Sequence, residues 1–487
     1  MIFHLKHWQG MLDFKNTQKW ITLVLVSVAG ITLAVWMTRD PVAHFAEFQP
    51  GMDDRPEGAS ASGSVIIGSF FQPFAGKPSL SIRSSWPRFR GAEFDNISKE
   101  RVALANSWDE AGPTQLWSVD LGEGHSGPIV HDGRVYILDY DEQNRRDILR
   151  CFSLDNGAEI WRRGYDVHIK RNHGMSRTTP AVQDSFVVTI GPKCHVMCLT
   201  ADSGAFKWGI DIEKEFASEI PLWYTGQCPL IEDSLAVIAT GGKALLIGVH
   251  LETGAIVWQT PNPNGWKMSH SSVMPMTLFG RRLYVYCSLG GLVGVSADSG
   301  SLGQVLFETA EWSPSVVAPS PLHIGDGKIF VTAGYGFGSR LFQVREENGK
   351  FDIKVLQTLK PDEGLCAEQQ TPLLYEGHLF AILPKDAGPR RNQFACCPAE
   401  NPSDIIFTSE RDERFGLGPY LIADGKFFIL SDDGVLTLAK VSIKKWEPLA
   451  KAQVLNGHDA WGPMALVDGR LLCRDSRRMV CLDVRAD

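Results

Sequence analysis

Few side chains in this 487-residue sequence carry chemistry that could act on a ligand, and their spacing limits what that chemistry can be. Cys396 and Cys397 are adjacent thiols, the one close cysteine pair among ten cysteines, and read as two ordinary thiols or a local surface disulfide. His270, in KMSHSS, and His458, beside Asp459, could exchange protons near neutral pH. Neither stands at metal-ligand spacing from a second histidine, so each also reads as a strand-end histidine and no metal site is expected. HExxH, GxSxG, P-loop and CxxCH patterns do not occur. The glycine-rich GYGFGS at 334–339 ends a β-rich run and opens no helix, so it reads as a bulge or hairpin and not as a phosphate cradle.

The elements that must position these groups repeat along the chain. One phrase recurs eight times: a proline, a few apolar residues, an acidic or glycine turn, then a β-rich run, as in GPIVHDGRVYIL and GPYLIADGKFFIL. Its prolines are Pro128, Pro180, Pro229, Pro275, Pro321, Pro372, Pro419 and Pro463, spaced 52, 49, 46, 46, 51, 47 and 44 residues apart. That period fits four short antiparallel strands with their turns, one propeller blade. Proline suits the first position of a strand, where its missing N–H costs little. The expected fold is all-β, an eight-bladed β-propeller over 86–487.

A second signature is an acidic residue, any residue, then a glycine, with a tryptophan four positions on. It ends at Trp161, Trp208 and Trp258; Asp298 to Gly300 and Glu347 to Gly349 keep the turn without the tryptophan. The indole is expected to pack between neighbouring blades. Only 24 residues follow Pro463, too few for four strands, so the segment 114–121 is expected to supply the missing one, with Trp117 in the place of the repeat tryptophan. Closure of this kind removes exposed sheet edges.

The DxGxxxW pattern carried on eight such repeats resembles the PQQ-like (pyrroloquinoline-quinone repeat) propellers. That group includes quinone-dependent alcohol and sugar dehydrogenases and the outer-membrane assembly factor BamB, so it implies a fold and leaves function open. Segments such as TIGPKCHVMCLTADSGAFKWGIDI look like uncharacterised membrane-anchored bacterial members of the group. In such a ring the loops just before each repeat proline crowd one mouth. Here they hold His125, Arg177, Trp223, Tyr224, Lys267 and His270 in the first half of the chain. The second half adds Trp312, Glu368, Gln369, Gln370, Arg414, His458, Asp459 and Trp461. So many aromatic and charged groups at one mouth read as a ligand or partner site; the plainer reading is that they cap strands and fill a wet channel. The resemblance also implies an alternative, a PQQ-dependent oxidoreductase. Trp461 would stack on the quinone, Arg177 or Lys267 would pair its carboxylates, Asp459 would act as base and Ca²⁺ would sit on carboxylates. In some quinone alcohol dehydrogenases adjacent cysteines form a disulfide against the cofactor. Here Cys396 and Cys397 fall in an expected outer strand or loop, away from the axis. Only Glu368 and Asp459 are at hand for calcium, so no bound cofactor is expected.

The segment 20–37, WITLVLVSVAGITLAVWM, has no charge and spans about 27 Å as a helix, close to the hydrocarbon thickness. Tryptophans mark both ends, and Lys6, Lys15 and Lys19 precede it against Asp13 alone. These features predict a single-pass anchor in a bacterial inner membrane, with a cytoplasmic tail at 1–19 and everything after Arg39 in the periplasm. A cleaved signal peptide is the rival reading, but the apolar run is long for one and no convincing A-x-A site follows it. Residues 38–85 are rich in small and polar residues and are expected to be a flexible linker. The first cysteine is Cys151, so no lipid-bearing cysteine lies near the N-terminus. A net charge of −8 without a long basic run argues against nucleic acid. The expected function is a protein-binding or assembly scaffold for other cell-envelope proteins.

Overall fold

The computed structural model describes residues 14–38, 65–109 and 111–486. The expected tail up to residue 13 and linker at 39–64 lie outside the described residues. The chain divides into two compact units, 1–49 and 50–487. The first holds one 25-residue helix, Phe14–Thr38, in which Lys19–Thr38 is long and apolar enough to cross a membrane. Its apolar side chains from Trp20 to Met37 are exposed, with no polar face to set against a core.

The second unit is an eight-bladed β-propeller. Seven sheets have four antiparallel strands and one has five. Blade 1 runs from its inner strand Ile129–His131 outward through Arg134–Asp141, Arg146–Ser153 and Glu159–Asp166. Each repeat proline falls at, or within two residues of, the start of an inner strand, from Ile129–His131 in blade 1 to Ala465–Val467 in blade 8. Blade 8 takes its outer strand, Thr114–Asp120, from the start of the propeller; it pairs antiparallel with the last strand, Arg478–Asp483.

The tryptophan and glycine of the repeat signature are two halves of one contact. The Trp161 indole of blade 1 donates from Nε1 to the Asp202 carbonyl of blade 2, 3.1 Å away. Gly204, in the same blade 2 turn, has φ +66°, and a Cβ there would lie 2.7 Å from the Trp161 ring. Trp208 repeats this on Leu251 O and Gly254, and Trp117 repeats it on Leu154 O and Gly157 across the closure. Glycine is needed twice over, for the left-handed turn and for the indole resting on it. At the fourth tryptophan the glycine lies further along the turn: Trp258 rests against Gly303, and a Cβ at Gly300 would meet nothing within 4 Å. Gly349 is likewise only the tip of the hairpin between Gly338–Glu347 and Lys350–Leu359.

Residues 65–85, expected within the flexible linker, are held on the propeller. Phe70–Pro73 add a fifth strand to blade 1, pairing Phe70 with Gly164 and Pro73 with Trp161. The cause is a row of stacked cations: Arg146, Arg163 and Arg162 lie 4.3, 4.4 and 4.8 Å from the Phe70, Phe71 and Phe74 ring centres. Each such pair contributes about 0.5–1 kcal/mol at an exposed site.

The next segment crosses the ring. Trp86 bridges to Val130 of blade 1, and Pro87 accepts from Val182 N of blade 2. Arg88 donates to Ile231 O of blade 3, and Asn96 to Tyr420 O of blade 7. Between them Arg90, 1% exposed, donates to the Thr371 and Pro372 carbonyls at the start of blade 6. Leu104 reaches Arg485 beside blade 8.

The Trp161–Gly204 contact is testable by a double-mutant cycle in urea. Trp161→Ala should cost about 3–5 kcal/mol. Gly204→Ala should cost about 1–3 kcal/mol, from its positive φ and the clash with the indole. If the indole causes the clash, Gly204→Ala costs less in the Trp161→Ala background, by at least about 0.5 kcal/mol. Additive losses would show that the two do not act together.

Candidate functional site at the mouth of the ring

Two sets of loops reach the same face of a blade: those before the inner strand, and those between the second and third strands. Together they enclose a cavity of about 300 Å³. Of the residues singled out in the sequence, His125, Arg177, Trp223, His270, Glu368, Gln369, Gln370 and Trp461 line it. Phe89 of the crossing segment adds to the lining.

The other candidates are elsewhere. Tyr224 is buried, its hydroxyl donating to Lys170 O at 2.7 Å. Trp312 is fully buried in the core of blades 4 and 5, edge-on to Phe337 at 5.0 Å. Lys267 pairs with Glu219 at 2.7 Å, outside the cavity. Arg414 is tied to the Arg391 and Pro389 carbonyls on the surface. His458 and Asp459 bond to each other at 2.8 Å, and neither lines the cavity. Sequence reasoning missed His173, Tyr335 and Lys385. Tyr335 sits in GYGFGS, between the second and third strands of blade 5, and Lys385 follows the second strand of blade 6. Counting strands from the repeat proline would have placed both loops at the mouth.

The cavity has two aromatic walls. Trp461 lies 4.8 Å from His125, centre to centre, and its indole donates to Asp432 at 2.8 Å. Opposite in character, Trp223 stacks on Tyr335 at 5.6 Å, with Lys385 Nζ 4.9 Å above the tyrosine ring. Trp223 and Tyr335 hold left-handed backbone, φ +61° and +57°, as do His173 at +49° and Asp459 at +58° around the mouth. Non-glycine residues adopt that region at a cost of about 1–2 kcal/mol each, so the surrounding packing must hold them there.

Charge inside the cavity is unevenly matched. Arg177 donates from Nε to Trp223 O at 2.7 Å and from Nη2 to Asn172 O and His173 O. Each of these partners is a backbone carbonyl, and no carboxylate pairs with it among the described residues. Burial lowers its pKa to about 10. Burial also raises Glu368, whose Oε1 is 3.7 Å from Lys385 while its Oε2 is buried without a hydrogen bond. His125 and His270 are both pushed down, by burial first and by the Arg177 charge second, His270 to about 3. Both imidazoles are therefore neutral at pH 7.

These groups do not make a calcium cage. Calcium takes six to eight oxygen ligands. Here Glu368 is the one carboxylate on the cavity wall, and no group of three or more His, Cys, Asp or Glu is placed to hold a metal among the described residues. Asp459, the expected base of the quinone reading, is turned to His458. Cys396 and Cys397 lie in Phe394–Pro398, the third strand of blade 6, correcting the outer strand or loop expected for them. Strand neighbours point to opposite faces, and both thiols are fully buried and unpaired. Burial raises the Cys396 pKa to about 12.

His270 gives the site a pH signature. Its pKa in the folded chain, about 3, is below the usual 6.5, so through that window the unfolded chain binds a proton that the folded chain refuses. Stability is therefore lost as pH falls below 6.5. Relative to His270→Gln, the wild type should lose on the order of 1 kcal/mol between pH 6.5 and about 4.5, and nothing above pH 7, in urea titrations. Parallel pH profiles would show that the imidazole is not buried as described.

Comparison with known proteins sets this ring among relatives. The family described as outer membrane protein assembly factor BamB matches residues 145–356. The serine/threonine-protein kinase AfsK of Streptomyces griseus is 26% identical over 129 residues, a match that spans 25% of this chain and 15% of the kinase. Among solved structures, the quinohemoprotein alcohol dehydrogenase of Comamonas testosteroni superposes with a TM-score of 0.55 at 11% identity, over 83% of this chain and 81% of the dehydrogenase. BamB of Moraxella catarrhalis gives 0.49 at 13% identity, over 76% of this chain and 99% of that one. With part of its repeats matched by that family model and its ring closed on eight blades, the chain is similar to the PQQ-like β-propellers.

Proposed function

We propose that this protein is a binding scaffold of the bacterial cell envelope, attached to the inner membrane by the helix at 20–37, with its propeller in the periplasm and its mouth turned to other envelope proteins. The observation that carries this reading is the cavity itself. It has aromatic walls, a guanidinium held by backbone carbonyls, and unpaired polar atoms, which are features of a site that binds. Burial and the Arg177 charge push His125 and His270 down, and His270 is too weak a base at about pKa 3 to serve proton transfer near pH 7. The matching BamB family, an assembly factor by description, supports protein partners. The lysines before the apolar helix and the tryptophans at its ends support the orientation.

The quinone-dependent alternative draws on Arg177 and Trp461, which suit a planar anion, and on the dehydrogenase-like fold. The carboxylates that calcium would need are not assembled around them. The full chain in detergent micelles, mixed with pyrroloquinoline quinone with and without Ca²⁺, should show no dye reduction with alcohols or sugars. In intact cells, a photo-crosslinker at Lys385 should give one discrete adduct that the same group at Val257, on an outer strand, does not. Stoichiometric quinone uptake with dye reduction would overturn the scaffold reading, as would identical adducts from both positions.

A further inference from the structure

We infer that the mouth cavity recognises a carboxylate carried on a peptide segment, next to an aromatic residue, in the partner protein. The inference rests on the scaffold reading and names the chemistry of what the scaffold holds. Arg177 is the centre of it. Its Nε and Nη2 are fixed by three backbone carbonyls, from Trp223, Asn172 and His173. Nη1 has no hydrogen bond among the described residues, and the side chain lines the cavity. A guanidinium oriented in this way by neutral acceptors keeps its full charge for an incoming anion, and the fork geometry suits a carboxylate.

The second cation, Lys385, reaches over the Tyr335 ring from the rim. The one acidic side chain in the lining, Glu368, is 93% buried, with Oε2 unpartnered. Burial raises its pKa, and Lys385 lies 3.7 Å from its Oε1, so its charge is offset within the cavity and does not reach Arg177 as a partner. The cavity's charge then complements an anion.

The remaining polar groups favour a peptide over a free small acid. The Gln369 side-chain amide lines the cavity without a hydrogen bond among the described residues, offering both a donor and an acceptor. Gln370 spends its Nε2 on the Trp461 and Leu417 carbonyls, which leaves its oxygen as an acceptor. A peptide backbone supplies the alternating N–H and C=O groups that such amides pair with, whereas a small aromatic acid supplies none. The stacked Trp223–Tyr335 wall gives a neighbouring aromatic side chain its surface.

The test is panning of a random octapeptide display library on the full chain in detergent micelles, followed by affinity measurements on recovered peptides. Recovered sequences should be enriched in Asp or Glu beside Phe, Tyr or Trp. Changing that acid to its amide should weaken binding about tenfold or more, as loss of a charge-assisted bond implies. Arg177→Met should do the same. Because Arg177 also braces three carbonyls, Lys385→Ala is the second variant: its side chain is 58% exposed and its loss leaves the fold intact, with binding weakened about two- to fivefold. Recovery of neutral aromatic peptides that ignore both variants would overturn the carboxylate while leaving the scaffold standing. Recovery of no peptide, with benzene-1,2,4-tricarboxylate binding in an Arg177-dependent way, would overturn the peptide and the scaffold reading together. Binding of neither probe would overturn the inference.

Discussion

The contact on which this ring depends is an indole laid on a glycine of the next blade. A propeller blade buries little by itself; its faces become core only when the neighbouring sheet covers them. Trp161 on Gly204 and Trp208 on Gly254 fix that neighbour at one distance, because a backbone without Cβ lets the ring come flush. The indole N–H then finds a carbonyl of the adjoining blade, so the contact is directional as well as apolar. Trp117 on Gly157 makes the same contact between the outer strand of blade 8 and blade 1. Closing the ring thus needs no special device, only one more copy of a contact already used within it.

A ring closed by such contacts leaves an axis to be filled, and the segment from Trp86 to Leu104 crosses it. Its hydrogen bonds run to six blades, and Phe94 packs beside the cores of blades 3, 4 and 5. Arg90 ties the segment down by spending its guanidinium on the Thr371 and Pro372 carbonyls, just ahead of the inner strand of blade 6. The same segment delivers Phe89 to the mouth cavity. The site is therefore built on the axis filler as well as on the blade loops, and inherits its rigidity from both.

What could be read in the sequence follows from which features are local. Repeat prolines, turns and tryptophans recur at fixed spacing, so blade number and strand order could be counted. The loops at the mouth obey no period. Trp312 lies nine residues before Pro321, as a mouth residue might, yet the long connection folds it into the core. Tyr335 was hidden in a glycine-rich stretch whose positive φ values read as a turn, and it is the turn that aims the ring at Trp223. Gly303 replaces Gly300 beneath Trp258 because the turn there is longer than its neighbours. Phe70 to Phe74 read as tether because nothing local shows that three arginines on two strands of blade 1 stack on them.

The electrostatics of the mouth then separate binding from proton chemistry. Arg177 acts on both imidazoles at once, and its charge together with burial holds His125 and His270 neutral. The same field favours an anion in the cavity and disfavours a proton on either ring. A general base needs a conjugate acid stable near working pH, and the arginine that would help hold an anionic ligand destabilises that acid. Glu368 is buried beside Lys385, and Asp459 is bonded to His458. Arg177 thus prepares the cavity for an anion and keeps both of these imidazoles from taking up a proton.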